Sequence, residues 1–168
     1  MTRLLVLGGA RSGKSRYAQQ RAEAMRRERI FIATAQAFDA EMEERITRHR
    51  RDRGPDWRTI EAPLDLPESI TAAARADAVL LVDCLTLWTT NLMMAERDVG
   101  AATARLAEAL ATAHGPVVVV ANEVGWGIVP DNPLARAFRD HAGLVNQAAA
   151  QAVDEVRLVV AGKSLELC

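Results

Sequence analysis

Short apolar runs alternate along the chain with longer segments in which apolar residues recur every three or four positions. The runs at Arg3 to Gly8, Arg29 to Thr34, Ala78 to Asp83, Pro116 to Asn122 and Val156 to Ala161 are almost continuously β-branched or leucine-rich. Runs without a polar alternation suit strands covered on both faces, and their spacing by helical segments predicts an α/β fold of parallel strands joined by crossover helices. A sixth strand is expected at Arg58 to Glu61. Leu165 to Leu167, after a turn at Gly162-Lys163, would add a small C-terminal edge hairpin.

The helical segments carry their own punctuation. Ser15 to Met25 follows a glycine-rich stretch, and Asp39 to His49 opens with an acidic first turn that suits the helix dipole. Asp65 and Glu68 have capping-box spacing ahead of Ile70 to Ala76, and a further helix begins near Thr86. His114, Gly115 and Pro116 form a stop after an alanine-rich segment, where His114 is a candidate partner for the helix C-terminus. Asn132 and Pro133 read as N-cap and first helical position of a last helix, Leu134 to Val153. No repeat or linker interrupts the 168 residues, so one domain is expected.

Composition removes several classes of function. With 21 basic residues against 22 acidic ones, the net charge of −1 argues against nucleic acid as a partner. The two cysteines, Cys84 and Cys168, make neither a disulfide framework nor a metal-ligand spacing. No apolar stretch reaches the roughly 18 residues of a membrane span, and the N-terminus enters a strand-like run rather than a leader, so a cytoplasmic protein is expected.

Chemistry enters at Gly8-Gly9-Ala10-Arg11-Ser12-Gly13-Lys14-Ser15, which matches G-x-x-x-x-G-K-[ST] where a strand hands over to a helix. Glycines let successive backbone N–H groups curl toward a polyphosphate, and the helix N-terminus adds its positive end. Lys14 would reach the β- and γ-phosphates, and Ser15 would give its hydroxyl to Mg²⁺. Asp83, ending the apolar run Val79 to Val82, has the layout of a second magnesium-holding group; the same residue could instead cap the next helix.

Arg45, Arg48, Arg50, Arg51 and Arg53 place five guanidiniums within nine residues around His49. At helical spacing Met42, Ile46, His49 and Arg53 share one stripe, so the imidazole belongs to the packed side. Such a histidine is either a satisfied core residue or a nucleophile that attacks phosphorus while the arginines receive the leaving pyrophosphate. His141 carries the same ambiguity on the stripe Leu134, Phe138, His141, Val145.

Taken in order, GGARSGKS, IATA at Ile32 to Ala35, DAEMEERITRHRRDR followed by WRTIEAP, LVDCLTLWTTNLM, NEVGWGIVP, LARAFRDHAGLVNQ and DEVRLVVAG cover nearly the whole chain. This ordered set resembles the bifunctional adenosylcobinamide kinase/adenosylcobinamide-phosphate guanylyltransferase family of cobalamin biosynthesis. The resemblance implies a P-loop NTPase of RecA-like architecture that uses ATP and GTP as substrates with Mg²⁺. It would phosphorylate adenosylcobinamide, then transfer GMP from GTP to the product phosphate to give adenosylcobinamide-GDP. It also implies a homotrimer.

Residue by residue, the resemblance makes His49 the guanylylated histidine. It carries nucleotide contacts onto Gly8 to Ser15, Ala33, Thr34, Ala35, Arg50, Arg51, Asp52, Arg53, Glu61 and Asp83. For Glu61 the expected partner is a hydroxyl or a guanine N–H. Some relatives have two adjacent histidines where this chain has Arg48-His49, so His49 alone can serve. Lys163-Ser164 departs from the small apolar and proline turn common in relatives. The stretch Asn122 to Pro130 is expected either to meet the corrinoid or to be a loop packed by Trp126 and Ile128.

Two other readings remain beside this one. A P-loop kinase of another small metabolite would leave His49 structural, and a regulatory ATPase would bind nucleotide without transfer to a corrinoid.

Overall fold

The computed structural model describes residues 2–36, Glu44 and 54–167. Seven strands, β1 (Arg3–Gly8), β2 (Glu28–Ala33), β3 (Trp57–Glu61), β4 (Ala78–Asp83), β5 (Val117–Asn122), β6 (Glu155–Val160) and β7 (Lys163–Leu167), form one sheet in the order β3-β2-β4-β5-β1-β6-β7. All neighbours are parallel except β6 and β7, which pair antiparallel as a terminal hairpin. The described helices are α1 (Lys14–Glu23), α2 (Leu66–Ala73), α3 (Leu85–Met94), α4 (Val99–Ala111) and α5 (Pro133–Ala152). Of the helix expected at Asp39 to His49 only Glu44 is among the described residues, and it is helical.

The continuous apolar runs separate into two faces because strand side chains alternate. Leu5, Leu7, Ile30, Ile32, Leu80, Val82, Val117 and Val119 join a core with Leu66, Ile70, Leu85, Trp88, Leu106, Leu110 and Val145 from α2 to α5. Leu4, Val6, Phe31, Val79, Leu81, Val118 and Val120 face the other way, against Ala18 and Ala22 of α1. At about 1.5–3 kcal/mol for each large apolar side chain removed from water, this two-sided burial drives sheet formation. Small alanines on α1 let that helix lie close to the sheet, so the residues just before it are held near the end of β1.

Local signals worked unequally. Asn132 caps α5 as expected, its Oδ1 accepting from Ala135 N at 2.8 Å. The helix expected from Ile70 begins earlier, at Leu66, because Pro67 has no N–H to leave unpaired in the first turn. Asp65 is its N-cap without a side-chain bond, and its carbonyl instead accepts from Ser69 N and Ser69 Oγ. At the end of α4 the Thr112 hydroxyl donates to Glu108 O, and the Arg3 guanidinium donates to Ala111 O. A cation from β1 therefore meets the negative helix end where His114 had been the candidate.

Candidate functional site

The C-terminal ends of the parallel strands gather the chemistry. Register places Ala33 beside both Glu61 and Asp83, so three of the expected contact residues form a row across β3, β2 and β4. On the other side of β5, Gly8 pairs with Asn122. The edge of a parallel sheet at which strands enter their helices is where open α/β folds bind ligands.

The turn from β1 into α1 is curled by two left-handed residues, Arg11 at φ 54° and Gly13 at φ 95°. Ser12 N donates to Gly9 O at 3.3 Å, and Lys14 Nζ donates to the same carbonyl at 3.1 Å. This draws the lysine back over the loop, the posture of a cation that reaches a phosphate held by the loop N–H groups. A Cβ on Gly8 would lie 2.5 Å from Ser12 Oγ and 2.6 Å from Val159 O, so only glycine fits between the loop and β6. Ser12 Oγ is buried and has no hydrogen-bond partner among the described residues. Leaving a buried hydroxyl unpaired costs about 1–3 kcal/mol, a penalty that a bound phosphate oxygen at this loop would remove.

Thr34 is fully buried, and its hydroxyl bonds twice: Oγ1 donates to Cys84 O at 2.8 Å and accepts from Cys84 N at 2.7 Å. The Asn91 amide donates to Thr34 O at 2.7 Å and to Pro63 O at 2.9 Å. These bonds lock the end of β2 to the end of β4 and so set the place of Asp83. Thr34 thus offers structural support from its side chain, while Ala33 and Ala35 are half-buried beside it. Burial, and then the nearby Asp83 charge, push the Cys84 thiol up to about 12. It is a packed thiol and not a nucleophile.

Hard oxygen donors suit Mg²⁺, and the Ser15 hydroxyl in the first turn of α1 and the Asp83 carboxylate at the end of β4 supply that chemistry. Both stand on elements that end at the phosphate loop's edge of the sheet. His49 and Arg45, Arg48, Arg50, Arg51, Asp52 and Arg53 lie outside the described residues. His141 sits half-buried on α5, one turn before the fully buried Val145.

Past β5 the chain leaves the sheet in a different manner. Trp126 is 74% exposed and Ile128 97% exposed, so neither packs the loop that carries it. Val129 and Leu134 extend this apolar surface. The loop is nonetheless held from α5: Arg139 donates to Gly125 O at 2.6 Å, and Arg136 donates to Pro130 O at 3.0 Å and Asp131 O at 2.7 Å. Beside its end, Thr90, Met93, Met94, Leu134, Ala135 and Phe138 line an apolar depression of about 360 Å³ between α3 and α5.

Sequence reasoning missed two supports of this site. The Ala161-Gly162 turn of the terminal hairpin has φ values of 50° and 76°, and Gly162 N donates to Ser12 O at 2.8 Å. The hairpin therefore buttresses the phosphate loop; two adjacent residues at positive φ form the turn that joins antiparallel strands tightly. The second support is buried polar side chains on otherwise apolar helix faces, Thr86 and Asn146, which bond to Asn122. A polar residue at a core position of the helical pattern was the available signal for both.

Fold and site together define a P-loop nucleotide-binding protein. Two solved structures share the fold alone: a Pyrococcus horikoshii OT3 protein (TM-score 0.58, 6% identity, 98% of this chain and 85% of that one) and a solved ATPase domain (TM-score 0.52, 11% identity, 94% and 68%). The family model described as cobinamide kinase / cobinamide phosphate guanyltransferase matches residues 4–167, and the chain belongs to that family. It is 44% identical to the bifunctional adenosylcobalamin biosynthesis protein CobP of Pseudomonas aeruginosa, covering 97% of this chain and 95% of that one. It is 42% identical to the corresponding CobU of Salmonella typhimurium and 41% identical to that of Escherichia coli K12, in each case over 98% of both chains.

Proposed function

We propose that this chain acts as one nucleotide-binding domain with two activities in cobalamin biosynthesis. It phosphorylates the hydroxyl of adenosylcobinamide from a nucleoside triphosphate, and it then transfers GMP from GTP to the new phosphate. The observation that supports this best is the phosphate loop at the C-terminal end of β1, with Asp83 and Glu61 on the same sheet edge, in a chain so similar over its length to bifunctional relatives.

In the first reaction Gly8 to Ser15 bind the β- and γ-phosphates, with Lys14 neutralising charge as it moves onto the leaving nucleotide. Ser15 and Asp83 would hold Mg²⁺, which supplies further charge neutralisation when bound. In the second reaction a His49 ring nitrogen attacks the α-phosphorus of GTP, the bond to pyrophosphate breaks, and a phosphoramidate forms. An oxygen of the corrinoid phosphate then displaces His49 and carries away GMP. Arg50, Arg51 and Arg53 receive the pyrophosphate charge, with Asp52 among them, and Ala33, Thr34, Ala35 and Glu61 surround the nucleotide. The exposed Trp126 and Ile128 offer the large apolar corrinoid a contact surface. The chain works in the cytoplasm as a homo-oligomer, a trimer in this reading.

The test uses Mg²⁺ and GTP labelled at either the α- or the γ-phosphate, with wild type and His49→Ala compared after denaturation. An acid-labile, base-stable adduct carrying only the α-label, lost in the variant and discharged by adenosylcobinamide phosphate, is expected. No adduct while nucleotide binds would return His49 to a structural role and leave a single-activity kinase.

A further inference from the structure

Phosphoryl transfer to a hydroxyl needs a place for the hydroxyl proton, and none of the groups placed in the reaction above provides one. The strand between the phosphate loop and Asp83 does. β5 lies between β1 and β4, and Asp83 is in register with Val120, so β5 runs beyond the Asp83 level to Asn122 and then Glu123. Glu123 N donates to Gly8 O at 3.1 Å, which fastens this residue to the first residue of the phosphate loop.

Around it stands a polar network that a plain strand end does not need. Asn122 N donates to Thr86 Oγ1 at 2.7 Å. The buried Asn146 amide donates to Asn122 O at 3.2 Å and toward the Glu123 carboxylate at 3.4 Å. Asn122 Oδ1 is itself buried, and no described residue donates to it. Buried acceptors of this kind are paired in folded proteins, so a donor group is expected at this strand tip. Glu123 remains half-buried, open on one side. The loop that continues from it is pinned by Arg139 and Arg136 and carries the exposed apolar residues offered to the corrinoid.

We propose that Glu123 is the catalytic base of the phosphoryl-transfer step, a proposal that rests on the kinase half of the reading above. The acceptor hydroxyl gives its proton to the Glu123 carboxylate as its oxygen forms a bond to the γ-phosphorus. The bond from that phosphorus to the β–γ bridging oxygen breaks, and its electron pair leaves on the nucleoside diphosphate. Asn146 is a positioning residue that orients the carboxylate. Histidine guanylylation attacks a different phosphorus with a nucleophile that has no hydroxyl proton to lose, so it does not require Glu123.

The experiment measures γ-label transfer to adenosylcobinamide and α-label incorporation into the protein for wild type, Glu123→Gln and Glu123→Ala, alongside nucleotide affinity and thermal unfolding. Wild-type transfer reports on the site reading; the variants report on Glu123 alone. Expected are a fall in the transfer kcat of about 10²- to 10³-fold with nucleotide KM within about twofold, loss of the acidic limb of the pH–kcat profile, and normal α-label adduct. Asn146→Ala should lower kcat by a smaller factor and keep that limb. Transfer by either variant within a few-fold of wild type, or equal loss of transfer and adduct in a folded variant, overturns the proposal.

Discussion

Two loops leave the same edge of the sheet and are built by opposite means. The phosphate loop between β1 and α1 is held by its own turn and by the terminal hairpin, with Ser12 N and Lys14 Nζ both donating to Gly9 O, Gly162 N donating to Ser12 O, and Gly13 at positive φ. The loop between β5 and α5 takes its bonds from arginines on the following helix while its apolar side chains point into solvent. The first is a curled cradle whose N–H groups suit a phosphate. The second is a surface of exposed apolar side chains tethered to α5 by Arg136 and Arg139.

Lys14→Ala breaks the cradle most directly: kcat for γ-phosphoryl transfer should fall on the order of 10³-fold at unchanged melting temperature, measured with labelled ATP. Gly8→Ala forces a methyl group into Ser12 Oγ and Val159 O. About 1–3 kcal/mol of stability should be lost, read by urea unfolding, with nucleotide binding weakened about 10- to 100-fold in calorimetric titration. Trp126→Ala and Ile128→Ser act on the tethered loop. They should leave stability within about 0.5 kcal/mol, because these side chains bury little, while the KM for adenosylcobinamide rises about tenfold and nucleotide affinity stays put.

The smallest effect tests the support behind the cradle. Arg21 on α1 donates to both Glu155 carboxylate oxygens on β6, at 2.9 and 2.8 Å, and holds that carboxyl down at about 2 against an ordinary 4.5. A depressed carboxylate adds stability that is present above its unfolded pKa and is lost as pH falls toward the folded value. The window is therefore about pH 4.5 down to about 2. Arg21→Met should flatten this limb of the stability–pH curve; after screening at a partly exposed pair the change is about 1 kcal/mol. If the curve keeps its slope in the variant, the pair does not anchor the phosphate-loop helix.

How much could be read ahead of the structure differed in the same way between the two loops. Most requirements of the phosphate loop are local: glycine at position 13 where φ is positive, lysine and serine at a fixed offset, an apolar strand before and a helix after, while the bond from Gly162 N to Ser12 O is not. Hence β1, β4 and Asp83 were legible, with Arg3 to Gly8 and Ala78 to Asp83 met at both boundaries. The Asp65–Glu68 spacing pointed to the observed N-cap of α2, but the helix drawn from Ile70 to Ala76 started four residues late and ended three late, since Pro67 belongs in the first turn.

By itself the sequence determined the alternation of strands and helices, the phosphate-binding turn and the family to which the chain belongs, since each depends on residue type at short spacing. Tertiary structure alone decided that β5 lies between the phosphate loop and Asp83, that the terminal hairpin touches Ser12, and that Trp126 and Ile128 stand in solvent. Strand order and long-range contact are settled by which faces can be buried together, a competition over the whole chain that no local spacing records.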